Sequence, residues 1–101
     1  MPERDETPGQ SERAVWKFVI EPMQTHMKMP KGARLLTAAE QRGEVCVWAE
    51  VDPTARKVLR KVMAIPTGGL CTGLSYVGTA HLQRGSLIFH VYDGGEDPYA
   101  A

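Results

Sequence analysis

Long apolar runs are missing from this sequence. No stretch approaches the roughly 20 consecutive apolar residues that span a bilayer, and residues 1–13 are polar and charged where a secretory leader is apolar. A cytoplasmic setting is the expectation, with no membrane partner. Cysteine is almost absent as well. Cys46 and Cys71 stand alone, whereas a small secreted scaffold stapled by disulfides carries more, so reduced thiols are expected. Also missing are a Gly-x-Ser-x-Gly elbow, a His-Glu-x-x-His helix and a paired-carboxylate motif. No catalytic residue is assigned, and the chain is expected to be neither an enzyme nor the holder of a cofactor.

What is present suits one small domain. A chain of 101 residues has room for a single core. Trp16, Phe18, Trp48, Tyr76, Phe89 and Tyr92 are spread along it, as in a core assembled from several segments. The net charge of zero conceals a pattern: of the twelve bases and twelve acids, residues 14–92 hold ten and five. Both ends are acidic. Residues 1–13 are read as a flexible arm, 14–92 as a single β-domain, and 93–101 as an acidic flexible tail, because neither end has the apolar content to offset the entropy of ordering. Solvated tails on an ordinary surface explain this pattern most simply. A basic face meeting an anionic partner is the functional alternative.

Period-2 alternation over Val15–Ile20 places Trp16, Phe18 and Ile20 on one face and Lys17 on the other, a first strand. Glu21-Pro22 ends it. Met23, Met27 and Met29 follow as gap-filling core or rim residues before a turn at Pro30-Lys31-Gly32. Arg34–Glu40 and Glu44–Val51 form a hairpin. A two-residue turn at Arg42-Gly43 would force Arg42 into the left-handed region, so a three-residue loop Gln41-Arg42-Gly43 with a bulge is preferred. That register sets Arg34 opposite Glu50, Leu36 opposite Trp48 and Ala38 opposite Cys46, leaving Leu35, Val45, Val47, Ala49 and Val51 as the core stripe. A second hairpin, Tyr76–Leu82 with Ser86–Tyr92, turns at Gln83-Arg84-Gly85. The two share Thr-Ala-x-x-Gln-Arg-Gly at an offset of 42 residues, a mark either of duplication or of common turn chemistry. Asp52–Ile65 fits a capped helix by propensity. The competing reading is a turn at Asp52–Ala55 and a strand, Arg60–Ile65, returning alongside Glu44–Val51.

The run Met29-Pro30-x-Gly32-Ala33-x-Leu35-Leu36, then Trp48-Ala49-x-Val51-Asp52, Thr67-Gly68, Tyr76-Val77-Gly78-Thr79 and Gly85-x-Leu87-x-Phe89-His90-Val91, resembles a family of small proteins encoded widely in bacteriophage genomes. The likeness spans about Trp16 to Tyr92. In that family the stretch before Thr-Gly looks strand-like, which selects the strand for Lys61–Ile65. Members often carry His-Pro after the Thr-Gly, where this chain has Gly69-Leu70. The resemblance implies a phage protein acting in a bacterial host; no activity or site residue is carried over with it.

Three candidate sites remain. Cys46, Cys71, His81 and His90 lack the short paired spacings of a zinc site, and the preferred register turns His81 and His90 to opposite faces, so no metal is expected. Cys46, between valines, reads as an inert thiol, and His90 as a half-buried strand histidine bonded to a neighbour. The glycine-rich loop after Ile65 offers backbone amides and hydroxyls at Thr67, Gly68, Gly69 and Thr72, with Arg56, Lys57, Arg60 and Lys61 preceding it. Together they are a candidate anion cradle without a nucleotide-loop signature. Met23, Met27 and Met29 are the candidate apolar patch for a partner. No specific nucleic acid is expected, because there is neither a stacked aromatic platform nor a recognition helix. The sequence thus points to an all-β fold, a small antiparallel sheet or partly closed barrel of about five to six strands built from hairpins. It points to a non-enzymatic phage-type protein that binds a host or defence component, with a small phosphate-bearing ligand as the alternative, a minor enzyme or nucleic-acid binder as the further one, and self-association open.

Overall fold

The computed structural model describes residues 12–97. Most of the expected arm and the last four residues of the expected tail lie outside them. Seven strands follow in order: β1 Ala14–Ile20, β2 His26–Pro30, β3 Arg34–Gln41, β4 Glu44–Val51, β5 Lys57–Pro66, β6 Ser75–Leu82 and β7 Leu87–Glu96. They form two antiparallel sheets, β1-β4-β3 and β2-β5-β7-β6, not closed into a barrel. The all-β architecture is as the alternation implies, but the strand count is higher and the barrel option falls. No helix among the described residues is long and apolar enough to cross a membrane.

The additional strand is β2. Its alternation buries Met27 and Met29 while Lys28 stays exposed, and its closing proline is tolerated because β2 pairs on one side only, with β5. The far end of the domain also extends past its expected limit. β7 runs through Glu96, so residues 93–97 belong to the folded body. Asp52 begins a turn, not a helix: the Thr54 amide and hydroxyl both donate to Asp52 Oδ1, at 2.9 and 2.7 Å, and the Ala55 amide closes on the Asp52 carbonyl. The chain then extends as β5. It does not return alongside β4 but crosses to the other sheet, between β2 and β7.

Both hairpins depart from the expected register by one residue. Gln41 pairs with Glu44, so the turn is the two-residue Arg42-Gly43, with φ of 54° and 82°. The left-handed arginine costs on the order of 1 kcal/mol. The shift it permits moves Ala38 to the core, opposite Val47, where both are buried. Since a one-residue slip reverses every side chain, burial outweighs turn propensity. The Gly43 amide donates to Glu40 Oε2 at 2.6 Å and holds the turn. A bulge at Leu36 then restores Arg34 opposite Glu50, while Thr37, not Leu36, faces Trp48 and Ala39 faces Cys46. In the second hairpin Leu82 pairs with Leu87 across a four-residue connection, and His81 and His90 share a face after all.

The offset of 42 residues survives this correction from Thr37 to Glu40 and slips by one residue at the bulges. Thr37 pairs with Trp48 and Thr79 with His90; Ala38 pairs with Val47 and Ala80 with Phe89; Ala39 pairs with Cys46 and His81 with Ile88. A third strand joins each hairpin at the same place, β1 on β4 and β5 on β7, with Phe18 beside Val47 and Pro66 beside Phe89. The turns differ in length: two left-handed residues, Arg42 and Gly43, make the first, and three, Gln83, Arg84 and Gly85, lie in the second. The likeness extends past the turns to register and strand order.

The halves meet at β3 and β6. A Cβ at Gly78 would stand 2.5 Å from the Ala38 nitrogen and 2.7 Å from its oxygen, so only glycine permits this backbone approach. Around it one core gathers Ile20, Met29, Ala38, Val47, Val51, Val62, Ala80 and Val91. Gly78→Ala is expected to lose at least ~1–3 kcal/mol of stability, the range of overpacked cores, by urea unfolding. Wild-type stability in that variant would mean that the strands are not in contact.

Candidate functional site

Of the basic residues proposed as an anion cradle, Arg60 is withdrawn from solvent. It lies on the inner face of β5, its side chain 12% exposed. Nε and Nη2 donate to the two Asp93 carboxylate oxygens at 3.0 and 2.8 Å, and Nη1 donates to the Ala33 carbonyl at 2.7 Å. Arg60 thus fastens the end of β7 and the turn before β3 to the middle of β5. Lys57 stands with its Nζ 5.9 Å from the Trp16 ring centroid, a cation–π contact. Arg56 is exposed and Lys61 half-buried.

The glycine-rich loop is elsewhere. β5 carries the chain ten residues from Lys57 to Thr67, about 30 Å at ~3.3 Å per residue. The loop and the cluster therefore form no common site. From Pro66 the loop turns back over the outer face of its own sheet. The Gly69 amide closes a turn on the Pro66 carbonyl, and a Cβ at Gly69 would lie 2.6 Å from Ile65 Cγ2. This cover explains why Ile65, on the outer face, is only 6% exposed. A second turn, Leu74 amide to Cys71 carbonyl, returns the chain to β6.

The folded loop meets a row of side chains that the strands align. Ile65, His90 and Thr79 are paired across β5, β7 and β6, and Met63, Tyr92 and Tyr76 form the next row. Thr67 Oγ1 lies 3.0 Å from His90 Nε2, Thr79 Oγ1 lies 3.2 Å from His90 Nδ1, and the Tyr76 hydroxyl lies 2.6 Å from Thr79 Oγ1. A neutral imidazole has one donor and one acceptor nitrogen, and each threonine hydroxyl can serve either, so the chain is satisfied without a charge. Tyr76 and Tyr92 pack edge to face at 5.6 Å. A hydrogen bond with the Cys71 thiol, then partial burial, push the Tyr92 phenol above its usual value.

This surface is neutral, polar and aromatic, with a thiol at its margin. Two apolar side chains rise from it into solvent: Leu70 on the loop is 88% exposed and Tyr76 is 60% exposed. Of the loop residues proposed for binding, Thr67 lies on His90, whereas Thr72 makes no hydrogen bond among the described residues; Gly68 and Gly69 shape the fold-back. His90 is the half-buried, neighbour-bonded strand histidine the sequence suggested, whereas Tyr76, Thr79 and Tyr92 did not figure among the sequence candidates. The alternation of Thr79, His90 and Tyr92 would have grouped them in the correct register.

The methionine patch does not hold together. Met27 and Met29 are 7% and 0% exposed and serve as core. Met23 alone is at the surface, 94% exposed and left-handed at φ 69° in the turn after Pro22. Cys46 is buried on β4, and that burial raises its thiol pKa. Among the described residues, no group of three or more histidines, cysteines and acids is placed to hold a metal.

A separate cavity of about 360 Å³ opens between the sheets near both hairpin turns. The ends of β1 and β6 and the starts of β4 and β7 line it, together with Ala64 of β5.

Residues 11–100 match a family described as a domain of unknown function (DUF7352). No curated protein and no solved structure matches the chain.

The Arg60–Asp93 pair has a pH signature. Partial burial pushes the Asp93 carboxyl up, but hydrogen bonds from Arg60 and the Gly95 amide, with the guanidinium charge, more than offset it, and the net direction is down. A carboxylate depressed on folding stabilises above its unfolded value, about 4, and loses that contribution as pH falls through the folded value. Asp93→Asn should cost ~1.5–3 kcal/mol at pH 7, the range for hydrogen bonds to charged groups. The difference from wild type should narrow below about pH 4 in urea titrations. A pH-independent difference would contradict the assignment.

Proposed function

The chain belongs to the DUF7352 family of unknown function, and we propose that it is a non-enzymatic binding protein whose recognition surface is the glycine-rich loop with the tyrosine face beneath it. The observation that carries this reading is the exposure of Leu70 and Tyr76 on a face where Thr67, His90, Thr79 and the Tyr76 hydroxyl are bonded in one chain. Exposed tyrosine on a rigid support contributes large contact area at small entropy cost, and aromatic anchors dominate protein interfaces. A neutral face with hydroxyls suits a protein surface better than a phosphate, which favours fixed positive charge. The partner is therefore a protein. The resemblance to phage-encoded proteins supports a host or defence component of the bacterial cytoplasm as that partner, with the chain itself encoded by a phage.

Affinity capture from a bacterial host lysate, followed by titration with the purified captured protein, tests this. Leu70→Asp and Tyr76→Ala should each weaken binding about 30-fold, equivalent to a ~2 kcal/mol anchor, whereas Arg56→Gln should leave it unchanged. Equal binding by both loop-face variants, or loss confined to Arg56→Gln, would place the interface elsewhere.

A further inference from the structure

The cavity between the sheets is apolar inside and acidic at its edge. Ile20, Val45, Ala64, Leu82 and Phe89 contribute its walls. Its volume of about 360 Å³ lies within the ~300–1,000 Å³ of small-molecule sites. The charged residues on its lining are Glu21 and Glu44, both exposed. Neither carboxylate has an ion-pair partner among the described residues, whereas Glu50, Asp93 and Glu96 at the opposite end each have one. Neither side chain accepts a hydrogen bond there; the polar contacts of Glu21 and Glu44 run through their backbone groups.

The site has a structural origin in the two halves. Val45 and Leu87 are equivalent under the 42-residue offset, and both line the cavity. The hairpins diverge here, at the end where their turns differ, and the core between them is left unfilled. Pro22 follows Glu21 in the tight turn that Gln24 closes on the Glu21 carbonyl, and Gly43 precedes Glu44 in the first hairpin turn. Each carboxylate is thus carried beside a constrained turn instead of on a long loop.

We propose that this cavity binds a small organic cation with an apolar body, the body between the sheets and the ammonium group against Glu21 and Glu44. Apolar walls reward burial of hydrocarbon in proportion to its area. Two unpaired carboxylates at the opening favour a positive head group and repel a negative one, which sets the sign of the ligand. The site is independent of the loop face, on the opposite side of β5's sheet: Ala64 faces inward while Ile65 faces the loop.

The test uses three probes with the same chain, n-hexylammonium, n-hexanol and n-hexanoate, titrated into the isotope-labelled full chain and followed by NMR. Hexylammonium should shift Ile20, Val45, Ala64 and Phe89 and bind at least about fivefold more tightly than hexanol, the effect of an attraction of ~1 kcal/mol. Hexanoate should bind most weakly. Glu21→Gln with Glu44→Gln should abolish the preference for the cation and leave hexanol binding as it was; these exposed substitutions keep the test valid if a cavity-filling Ala64→Phe fails to fold. Absence of shifts at the cavity, equal binding of hexylammonium and hexanol, or tighter binding of hexanoate would each overturn the proposal.

Discussion

The approach of β3 to β6 is the constraint on which the rest of this fold depends. Two three-stranded units of the same strand order, each with its own hairpin, share one core where their edge strands β3 and β6 come together. Ala38 and Gly78 make that possible, because the Gly78 position has no room for even one carbon beside the Ala38 backbone. Ala38 and its equivalent Ala80 are both buried at the meeting line. Small residues let the halves approach there, and Leu82, Leu87 and Phe89 line the cavity at the hairpin-turn end. One contact thereby sets both the continuity of the core and the place where it is interrupted.

β5 then distributes the chemistry. Its inner face carries Val58, Arg60 and Val62, with the guanidinium committed to Asp93 and Ala33. Its far end delivers the glycine-rich loop back onto Ile65 and His90. A charged cluster and a flexible loop that look adjacent in sequence become a structural clamp and a rigid cover at opposite ends of one strand. The loop's glycines act less as ligands than as the condition for lying flat on the sheet.

Much of the fold was legible in the sequence: the alternation of Trp16, Phe18 and Ile20, the stripe of Val45, Val47, Ala49 and Val51, and the extended character of Lys61–Ile65. Turn geometry was the weak point. The steric objection to a left-handed Arg42 is sound locally, yet it is overruled by the burial gained when Ala38 turns inward, an energy that cannot be read before the partner strand is known. The same one-residue error in the second hairpin hid the row of Thr79 and His90 and set His81 on the wrong face. Met27 and Met29 read as core or rim without a choice between them, because β2 is short and ends in proline, so its alternation is too brief to stand out. The loop's fold-back leaves a trace only in Gly69, and nothing in the local sequence distinguishes a glycine that opens a ligand cradle from one that lets a loop lie on isoleucine.

The docking of the two units through β3 and β6 is most directly examined by a nuclear Overhauser spectrum of the labelled chain. The account predicts a strong cross-peak between a Gly78 Hα and the Ala38 amide proton, together with the Gly78–Val91 contacts of the β6–β7 ladder. A spectrum that contains the ladder contacts but lacks the Gly78–Ala38 cross-peak would contradict it.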